Sequence, residues 1–370
     1  MTVSVSSQKA PIANGYLIYD PELSDLLMLG VRLLDRQLVA LKRGGCEQIT
    51  IISQGSVPEL RRSRAFGIPY WVAPVLPAAD ESAIVAAGGA YFDAADVRQL
   101  QQNFGRLHTA GGDPVNVVST TSILTETPIW DSPQPAITSN SAAAQVASPA
   151  DATRLGKRLL RRTTSDNDGL VDRYLNRPIS RLITQRLVHA EASPNLVSII
   201  AILLGLLSAW CLSIPYHELA ILGAILFQIS AIIDCVDGDL ARLCFCESRM
   251  GKWLDLIGDQ IVHIAVFIGI GLSLLKASPS LAITLLTLSA AVGAGMAFVV
   301  VLWASHYTRT NQAIHRLINT TANRDFSILV LILALVDQLK VFVWLAGIGI
   351  HIYWIGILVL AFRSSPKAVP

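Results

Sequence analysis

From residue 194 onward the sequence is dominated by apolar stretches about as long as a lipid bilayer is thick. A helix needs about 20 apolar residues to cross the hydrocarbon core, and six stretches approach that length. They run, in order, over residues 194–214, 219–240, 254–275, 281–304, 326 to near 339, and 341–362. The fifth is short and ends at Asp337, which makes its boundary with the sixth the least defined. We therefore predict an all-α polytopic membrane domain with six transmembrane helices over residues 191–370.

The composition excludes several other classes of protein. Apolar residues make up 52% of the 370 residues and charged residues 15%, against roughly 25% charged residues in an average soluble domain. An ordinary soluble enzyme or a disordered chain does not fit these values. The net charge of +2 gives no reason to expect nucleic acid as a partner. The five cysteines form no disulfide framework and no CxxC pair, so we expect reduced thiols.

The positions of lysine and arginine predict the orientation of the spans. Basic residues are concentrated before the first stretch, between the second and third, between the fourth and fifth, and in the C-terminal tail. On the opposite side we find only Lys276 and Lys340. Cytoplasmic loops carry the excess of positive charge, so we expect both termini to lie in the cytoplasm and the active site on the cytoplasmic side. We expect the cell (plasma) membrane as the location. Residues 1–16 show neither the basic start nor the apolar core of a signal peptide.

Residues 1–127 have the turns, charges and short apolar runs of a small cytoplasmic α/β domain. Residues 33–42 predict a helix, Gly44-Gly45 a turn, and residues 49–52 a buried strand. Residues 128–164 are rich in Pro, Ser and Ala, which is typical of a linker.

Residues 165–190 predict a basic amphipathic juxtamembrane helix that lies along the membrane surface. Arg173, Arg177 and Arg181 are four residues apart and share one helical face. This face is equally consistent with attraction to anionic lipid headgroups and with binding of a substrate.

The second and third stretches contain carboxylates, which are rare in membrane helices. Asp234 and Asp237 lie near the end of the second stretch, and Asp255 and Asp259 near the start of the third. Each such charge costs about 2.5–3.5 kcal/mol on insertion scales and is usually functional. The spacings of three and four residues place each pair on one helical face. Because the intervening loop is short, we expect antiparallel helices whose four aspartates converge near the cytoplasmic surface.

The chemistry of this cluster favours a metal site that acts on phosphate. Two divalent cations would balance four carboxylates, and hard oxygen ligands suit Mg²⁺, Mn²⁺ or Ca²⁺. Gly238 and Ala241 leave space for a ligand beside the helix, and Arg242 offers donors suited to phosphate oxygens. Aspartates that merely pair with basic residues are an alternative, as is a cation transporter. Neither explains the spacing of Gly238, Ala241 and Arg242.

The two stretches resemble the CDP-alcohol phosphotransferase family, whose signature they match at every fixed position. The matching residues are Asp234-x2-Asp237-Gly238-x2-Ala241-Arg242-x8-Gly251-x3-Asp255-x3-Asp259. The resemblance extends over the six-span half and includes Ser193-Pro194-Asn195. Members of this family transfer a phosphoalcohol group from a CDP-activated donor to an acceptor hydroxyl and release CMP.

The resemblance implies roles for individual residues. The four aspartates, Asp234, Asp237, Asp255 and Asp259, would hold two divalent cations, Mg²⁺ or Mn²⁺. Asp259 would also be the catalytic base that activates the acceptor. The residues that would contact the CDP moiety are Gly238, Ala241 and Arg242, with Asn195 as a further candidate.

The resemblance also implies substrates and an oligomeric state. We expect CDP-diacylglycerol with a polyol or polyol-phosphate acceptor, or alternatively soluble CDP-inositol with inositol phosphate, and a homodimer. Candidates to hold an acceptor phosphate are Arg173, Arg177 and Arg324. Arg309 and Arg316 are either further candidates or simple topology signals.

Part of the N-terminal region resembles a sugar-phosphate nucleotidyltransferase domain, on residues 30–38, Gly44-Gly45 and residues 49–52. That domain is fused to this membrane body in the bifunctional inositol-phosphate cytidylyltransferase and di-inositol-phosphate-phosphate synthase subgroup. The run from Asp168 to Ser180 resembles the surface helix of the same subgroup. A working nucleotidyltransferase needs a Gly-rich loop followed by a lysine, and residues 11–29 contain neither. We therefore predict a degenerate, inactive domain.

Overall fold

A computed structural model describes residues 12–77, 81–121, 130, 133–163, 169–307 and 326–364. The chain forms two compact units, Met1–Arg161 and Arg162–Pro370. The first unit contains both strands and helices, and the described elements of the second unit are all helices. The expected fold class, an α/β region followed by a helical body, is confirmed at this level.

The first unit contains eleven strands among its described residues. They are β1 Asn14–Ile18, β2 Leu27–Met28, β3 Val31–Arg32, β4 Gln48–Ile52, β5 Trp71–Ala73, β6 Ala83–Ala87, β7 Ala90–Tyr91, β8 Gly105–His108, β9 Pro114–Thr120, β10 Ala136–Thr138 and β11 Ala144–Gln145. Its helices are α1 Pro21–Ser24, α2 Leu33–Gly44, α3 Arg61–Ala65, α4 Ala94–Gln102 and α5 Pro149–Arg161. The predicted helix, turn and strand over residues 33–52 are thus present.

Seven of these strands form one mixed sheet in the order β10-β8-β9-β6-β1-β4-β5. The inner strand β1 pairs in parallel with β4 and β6, whereas β9 runs antiparallel to β6 and β8. Helices cover the parallel strands, which therefore need apolar residues on both faces. Ile49, Ile51, Ile84 and Val85 are accordingly buried. The left-handed conformation of Gly45, with φ of 112°, ends α2 and allows the chain to enter β4.

Residues 128–164 differ from the linker that their composition predicts, because they contain β10, β11 and α5. Ala152 and Leu155 of α5 lie three residues apart and pack on Met28, Leu33 and Tyr91 in one buried cluster. The high content of Pro, Ser and Ala conceals this short apolar face. Residues 133–161 of this segment belong to the first unit.

The second unit begins with a π-helix at Asp172–Asn176, followed by helices of very different lengths. These are α6 Arg177–His189, α7 Pro194–Leu212, α8 His217–Leu243, α9 Arg249–Ala277, α10 Leu281–Tyr307, α11 Phe326–Leu335 and α12 Leu339–Ser364. The predicted juxtamembrane helix corresponds to the π-helix and α6. Its exposed side chains include the apolar Leu170, Tyr174 and Leu182, and its buried ones include Ser180 and Thr184.

Among the described residues, five helices of the second unit are long and apolar enough to cross a membrane, which indicates an integral membrane protein. They are α7, α8, α9, α10 and α12. The fifth predicted span, α11, has only ten residues, about half the length of an average span. The prediction of six spans is therefore not confirmed.

Candidate active site

The C-terminal end of α8 and the N-terminal end of α9 bring three of the four predicted metal ligands together. The carboxylate oxygens of Asp234, Asp237 and Asp255 all lie within 4.8 Å of one another. The expected opposition of two aspartate-bearing helical faces is therefore present in the structure. Asp259 is not a member of this group and follows Asp255 by one turn of α9. Three acidic groups this close repel one another unless a cation or protons lie between them.

Asp237 is the most deeply buried residue of the three, with an exposed fraction of 4%. Its Oδ2 accepts a hydrogen bond from the hydroxyl of Ser198 on α7. The sequence analysis does not single out Ser198, although Ser198 lies three residues after Asn195 and is one of few polar residues in α7. Polar groups are rare in a membrane-spanning helix, and this rarity is the signal that could have identified it.

A cavity of about 360 Å³ opens beside the aspartates between α7, α8 and α9, and we call it the α7–α9 cavity. All four residues that the sequence predicts to contact CDP line it. Its lining consists of Pro194, Asn195, Ser198, Asp237, Gly238, Ala241, Arg242, Cys246, Glu247, Ser248, Gly251, Lys252 and Asp255. Lys252 adds a second cation that the sequence analysis did not assign to the site.

Two glycines of the motif provide the space that the polar side chains of the cavity occupy. A Cβ atom at Gly251 would lie 2.7 Å from Oδ1 of Asn195 and 3.0 Å from Oγ of Ser248. Asn195 can therefore hold its position only because residue 251 has no side chain. A Cβ atom at Gly238 would lie 3.6 Å from both terminal nitrogens of Arg242, which is ordinary contact. The Arg242 guanidinium thus lies directly over Gly238.

The candidate residues for an acceptor phosphate have different surroundings. Arg177 donates a hydrogen bond of 2.8 Å to Oδ1 of Asp239, and its side chain is 12% exposed. This ion pair involves one terminal nitrogen of the guanidinium that the sequence analysis assigned to an acceptor phosphate. Arg173 lies half-buried in the π-helix. Arg324, like Arg309 and Arg316, lies outside the described residues.

His263 lies one turn beyond Asp259 on α9, among aromatic rings. Its ring centroid is 5.0 Å from that of Phe326 and 6.4 Å from that of Phe227, with steep interplanar angles. Its Nε2 is buried and has no hydrogen-bond partner within the described ranges of the chain. These ring contacts are those of a histidine packed in the apolar core of the helical unit.

In the first unit, the C-terminal end of β1 is the place where open α/β sheets usually bind ligands. There the chain turns directly into α1, whose N-cap Asp20 accepts a 2.9 Å hydrogen bond from the Glu22 amide. A Cβ atom at Gly88, just after β6, would collide with the hydroxyl of Ser24 and lie 3.0 Å from the Asp20 amide nitrogen. Side chains and backbone of this turn therefore fill the space next to β6.

Comparison with known proteins places the site in a family. Residues 191–362 match the family model described as CDP-alcohol phosphatidyltransferase. The "Bifunctional IPC transferase and DIPP synthase" of Thermococcus kodakarensis is 38% identical over 110 residues, 29% of this chain and 24% of that protein. The protein of the same name from Aquifex aeolicus is 35% identical over 121 residues, 32% of this chain and 27% of that protein. The chain therefore matches only about a quarter of the length of these relatives.

A solved structure of Mycobacterium tuberculosis phosphatidylinositol phosphate synthase with CDP-DAG bound is also similar. It has 19% sequence identity and a TM-score of 0.39, and the alignment covers 52% of this chain and 98% of that chain. Residues 191–362, which contain the complete aspartate signature, therefore carry a domain that matches the CDP-alcohol phosphatidyltransferase family model.

Proposed function

We propose that this protein transfers a phosphoalcohol group, such as a phosphatidyl group, from a CDP-activated donor to an acceptor hydroxyl and releases CMP. The observation that carries this proposal is the convergence of Asp234, Asp237 and Asp255 beside the α7–α9 cavity. The remaining fixed residues of the motif line the same cavity or, in the case of Asp259, lie one turn away. This arrangement supports a cation site, a phosphate-binding arginine and space for a nucleotide next to one another.

The residues present fit divalent cations. Three carboxylates with oxygens within 4.8 Å form a hard, strongly negative donor set, which Mg²⁺ or Mn²⁺ would neutralise. We assign Asp234, Asp237, Asp255 and Asp259 to hold two such ions. When bound, the ions would neutralise charge that develops on the diphosphate in the transition state.

The side chains of the cavity have separate roles in the proposed reaction. Arg242 pairs with diphosphate oxygens, while Gly238 and Ala241 leave room for the nucleotide and Asn195 offers an amide to it. Asp259 accepts the proton of the acceptor hydroxyl. The acceptor oxygen bonds to the phosphorus that carries the donor alcohol, and the bond from that phosphorus to the CMP oxygen breaks.

Our first choice of substrates is CDP-diacylglycerol with a polyol or polyol phosphate, because a lipid donor can reach a pocket between membrane helices directly. The second choice is soluble CDP-inositol with inositol phosphate, which the names of the two relatives favour. Arg173, Arg177 and Arg324 remain our candidates for an acceptor phosphate. Arg177 also binds Asp239 through one terminal nitrogen, and a guanidinium has further donors for a phosphate.

We further propose six spans with both termini and the active site on the cytoplasmic side of the plasma membrane, in a homodimer. The distribution of lysine and arginine supports this orientation, and α11 would be a short fifth span. The exposed apolar side chains of Leu170, just before the π-helix, of Tyr174 in it and of Leu182 in α6 support a position of this segment at the bilayer surface.

The N-terminal unit is proposed to be an inactive relative of sugar-phosphate nucleotidyltransferases. The turn of Asp20 and Ser24 against Gly88 supports this proposal, because it occupies space at the end of β1. The test uses the full chain with Asp259→Asn, so that any CDP-sugar formed is not consumed. No CDP-sugar should appear from CTP and inositol phosphate; its formation would contradict the proposal.

The main experiment measures CMP release by the full chain in detergent with Mg²⁺ or Mn²⁺. The donors are CDP-diacylglycerol and CDP-inositol, and the acceptors are glycerol 3-phosphate, inositol, inositol phosphate and serine. We expect release with one pair, and its loss in Asp259→Asn with the fold retained. The matched control is Asp337→Asn, which changes an 84% exposed aspartate between α11 and α12 and should leave release unchanged. Metal-dependent ion flux without CDP binding would instead favour a cation transporter.

A further inference from the structure

Asp239 is a buried carboxylate inside the motif, at a position that the family signature leaves variable. Its exposed fraction is 0%, and its Oδ1 accepts hydrogen bonds of 2.8 Å from both Arg177 and Arg242. Its Oδ2 accepts a longer bond of 3.3 Å from the hydroxyl of Thr163. We propose that Asp239 is a positioning residue that holds the Arg242 guanidinium over the α7–α9 cavity, with Arg177 as the second cation that this arrangement requires.

Arg242 needs such an anchor because its own surroundings constrain it weakly. It lies in the last turn of α8 with 52% of its side chain exposed, and below it Gly238 offers no side chain to pack on. An arginine side chain has several rotatable bonds, and fixing them on ligand binding costs free energy. Asp239 is three residues earlier on the same helical face, so it orders the guanidinium before a ligand arrives.

Arg177 compensates the negative charge that Asp239 adds next to Arg242. An isolated pair of Asp239 and Arg242 would be neutral and would attract a diphosphate only weakly. Because Arg177 binds the same carboxylate oxygen, the three side chains together carry a net charge of +1. Arg242 is thereby held by a carboxylate while this group of three side chains keeps a net positive charge. Arg177 is also the first residue of α6, so this contact ties the juxtamembrane helix to the cavity.

The inference rests on the proposed function, because it assigns the Arg242 guanidinium to the diphosphate of CDP. It differs from a merely structural role in one respect. A structural carboxylate would affect all properties of the fold, whereas a positioning residue acts on nucleotide binding through Arg242 and leaves the metal ligands undisturbed.

The test measures the Kd of CDP in the presence of Mg²⁺, and separately the Kd of Mn²⁺ without nucleotide, by calorimetry on the full chain in detergent. The variants are Asp239→Asn, Arg242→Gln and the double variant. We expect Asp239→Asn to weaken CDP binding about tenfold, which is 1.4 kcal/mol, and to leave the Kd of Mn²⁺ unchanged. In the Arg242→Gln background the same change should have no further effect on CDP. Additive losses, or an equal loss of Mn²⁺ affinity, would overturn the inference.

Arg177→Gln provides a second measurement if Asp239→Asn fails to fold. It leaves a neutral Asp239–Arg242 pair, so CDP binding should weaken several-fold with Mn²⁺ binding unchanged; wild-type affinity for CDP would overturn the role of Arg177. CDP binding also separates this inference from the proposed reaction. If the wild-type protein binds CDP but releases no CMP with any substrate pair, the proposed reaction is contradicted. The coupling between Asp239 and Arg242 in CDP binding can still be measured. If it binds no CDP, both are wrong.

Discussion

The hydroxyl of Ser198 on α7 donates a hydrogen bond to Asp237 on α8, and both side chains are buried. The bond crosses between two helices and fixes one oxygen of a proposed metal ligand. Groups that orient metal ligands typically contribute 10- to 100-fold to metal affinity. Ser198 is therefore part of the proposed metal site although it binds no metal in our assignment.

Replacing Ser198 with alanine should weaken Mn²⁺ binding about tenfold, because Oδ2 of Asp237 loses its donor. The measurement is a Mn²⁺ titration followed by electron paramagnetic resonance. Ser230→Ala is the matched control, since the buried Ser230 hydroxyl also bridges α8 and α7, by a 2.8 Å bond to the Ala201 carbonyl. Equal Mn²⁺ affinities in the two variants would contradict the role of Ser198.

Two glycine-to-alanine changes should separate ligand binding from stability. At Gly238 a Cβ atom makes only ordinary contacts with Arg242, so the melting temperature should hold or rise slightly, while the added methyl group occupies the space proposed for CDP. At Gly269 a Cβ atom would collide with the backbone carbonyl of Ala209. Gly269→Ala should therefore destabilise the helical unit by about 1–3 kcal/mol.

Thermal unfolding in detergent and CDP titration measure the two effects of these glycine changes. The expected pattern is a loss of CDP affinity at position 238 without a loss of stability, and a loss of stability at position 269. A Gly238→Ala protein that binds CDP as tightly as wild type would remove Gly238 from the proposed nucleotide site.

A chain of buried amides connects the π-helix, α8 and α11. Gln228 donates a 2.6 Å bond to Asn176 and accepts a 2.8 Å bond from Ser327, and Asn176 donates a 2.7 Å bond to Asp172. Gln228→Leu removes the two bonds of Gln228 and should cost about 1–3 kcal/mol, because buried polar groups lose their partners. Ser327→Ala removes one bond and should cost less. Melting temperatures that follow the reverse order would contradict this network.

Alkaline pH should destabilise the first unit through two groups. Burial raises the pKa of the Cys46 thiol from 9.0 to about 12. Burial, with a hydrogen bond to Asp25, raises the pKa of Tyr19 from 10.0 to about 12. Below pH 9 both groups are protonated in the folded and unfolded chain, so their stabilising effect is complete. Above that pH the unfolded chain releases these protons first, so the free energy of unfolding falls until about pH 12.

Alkylation of Cys46 by iodoacetamide, mapped by mass spectrometry across this pH range, tests the prediction. Cys46 should react slowly until the unit opens, whereas the half-buried Cys246 is the internal comparison. Cys46→Ala should reduce the slope of stability against pH between about 9 and 10. Rapid alkylation of Cys46 at pH 9 in the folded protein would show that its thiol is not held protonated.

The sequence alone determined the features that follow from local periodicity. Apolar runs of a set length predict the long helices, and spacings of three and four residues place Asp234 with Asp237, and Asp255 with Asp259, on single helical faces. Because the loop between α8 and α9 is short, the two helices run antiparallel and side by side, and their aspartate-bearing faces meet. Residues 33–52 were predictable for the same reason, because a helix, a glycine turn and a buried strand are each encoded by neighbouring residues.

The tertiary structure alone decided which distant side chains meet. Ser198 and Asp237 are separated by 39 residues and Arg177 and Asp239 by 62, and no local pattern encodes either pair. The ion pair of Arg177 with a buried carboxylate could therefore not be predicted from the sequence. In the same way the sequence analysis assigned α5 to a linker, because its short apolar face is recognisable only from its packing on Met28 and Tyr91. Helix periodicity is a property of the backbone within a few residues, whereas these contacts depend on how whole elements pack.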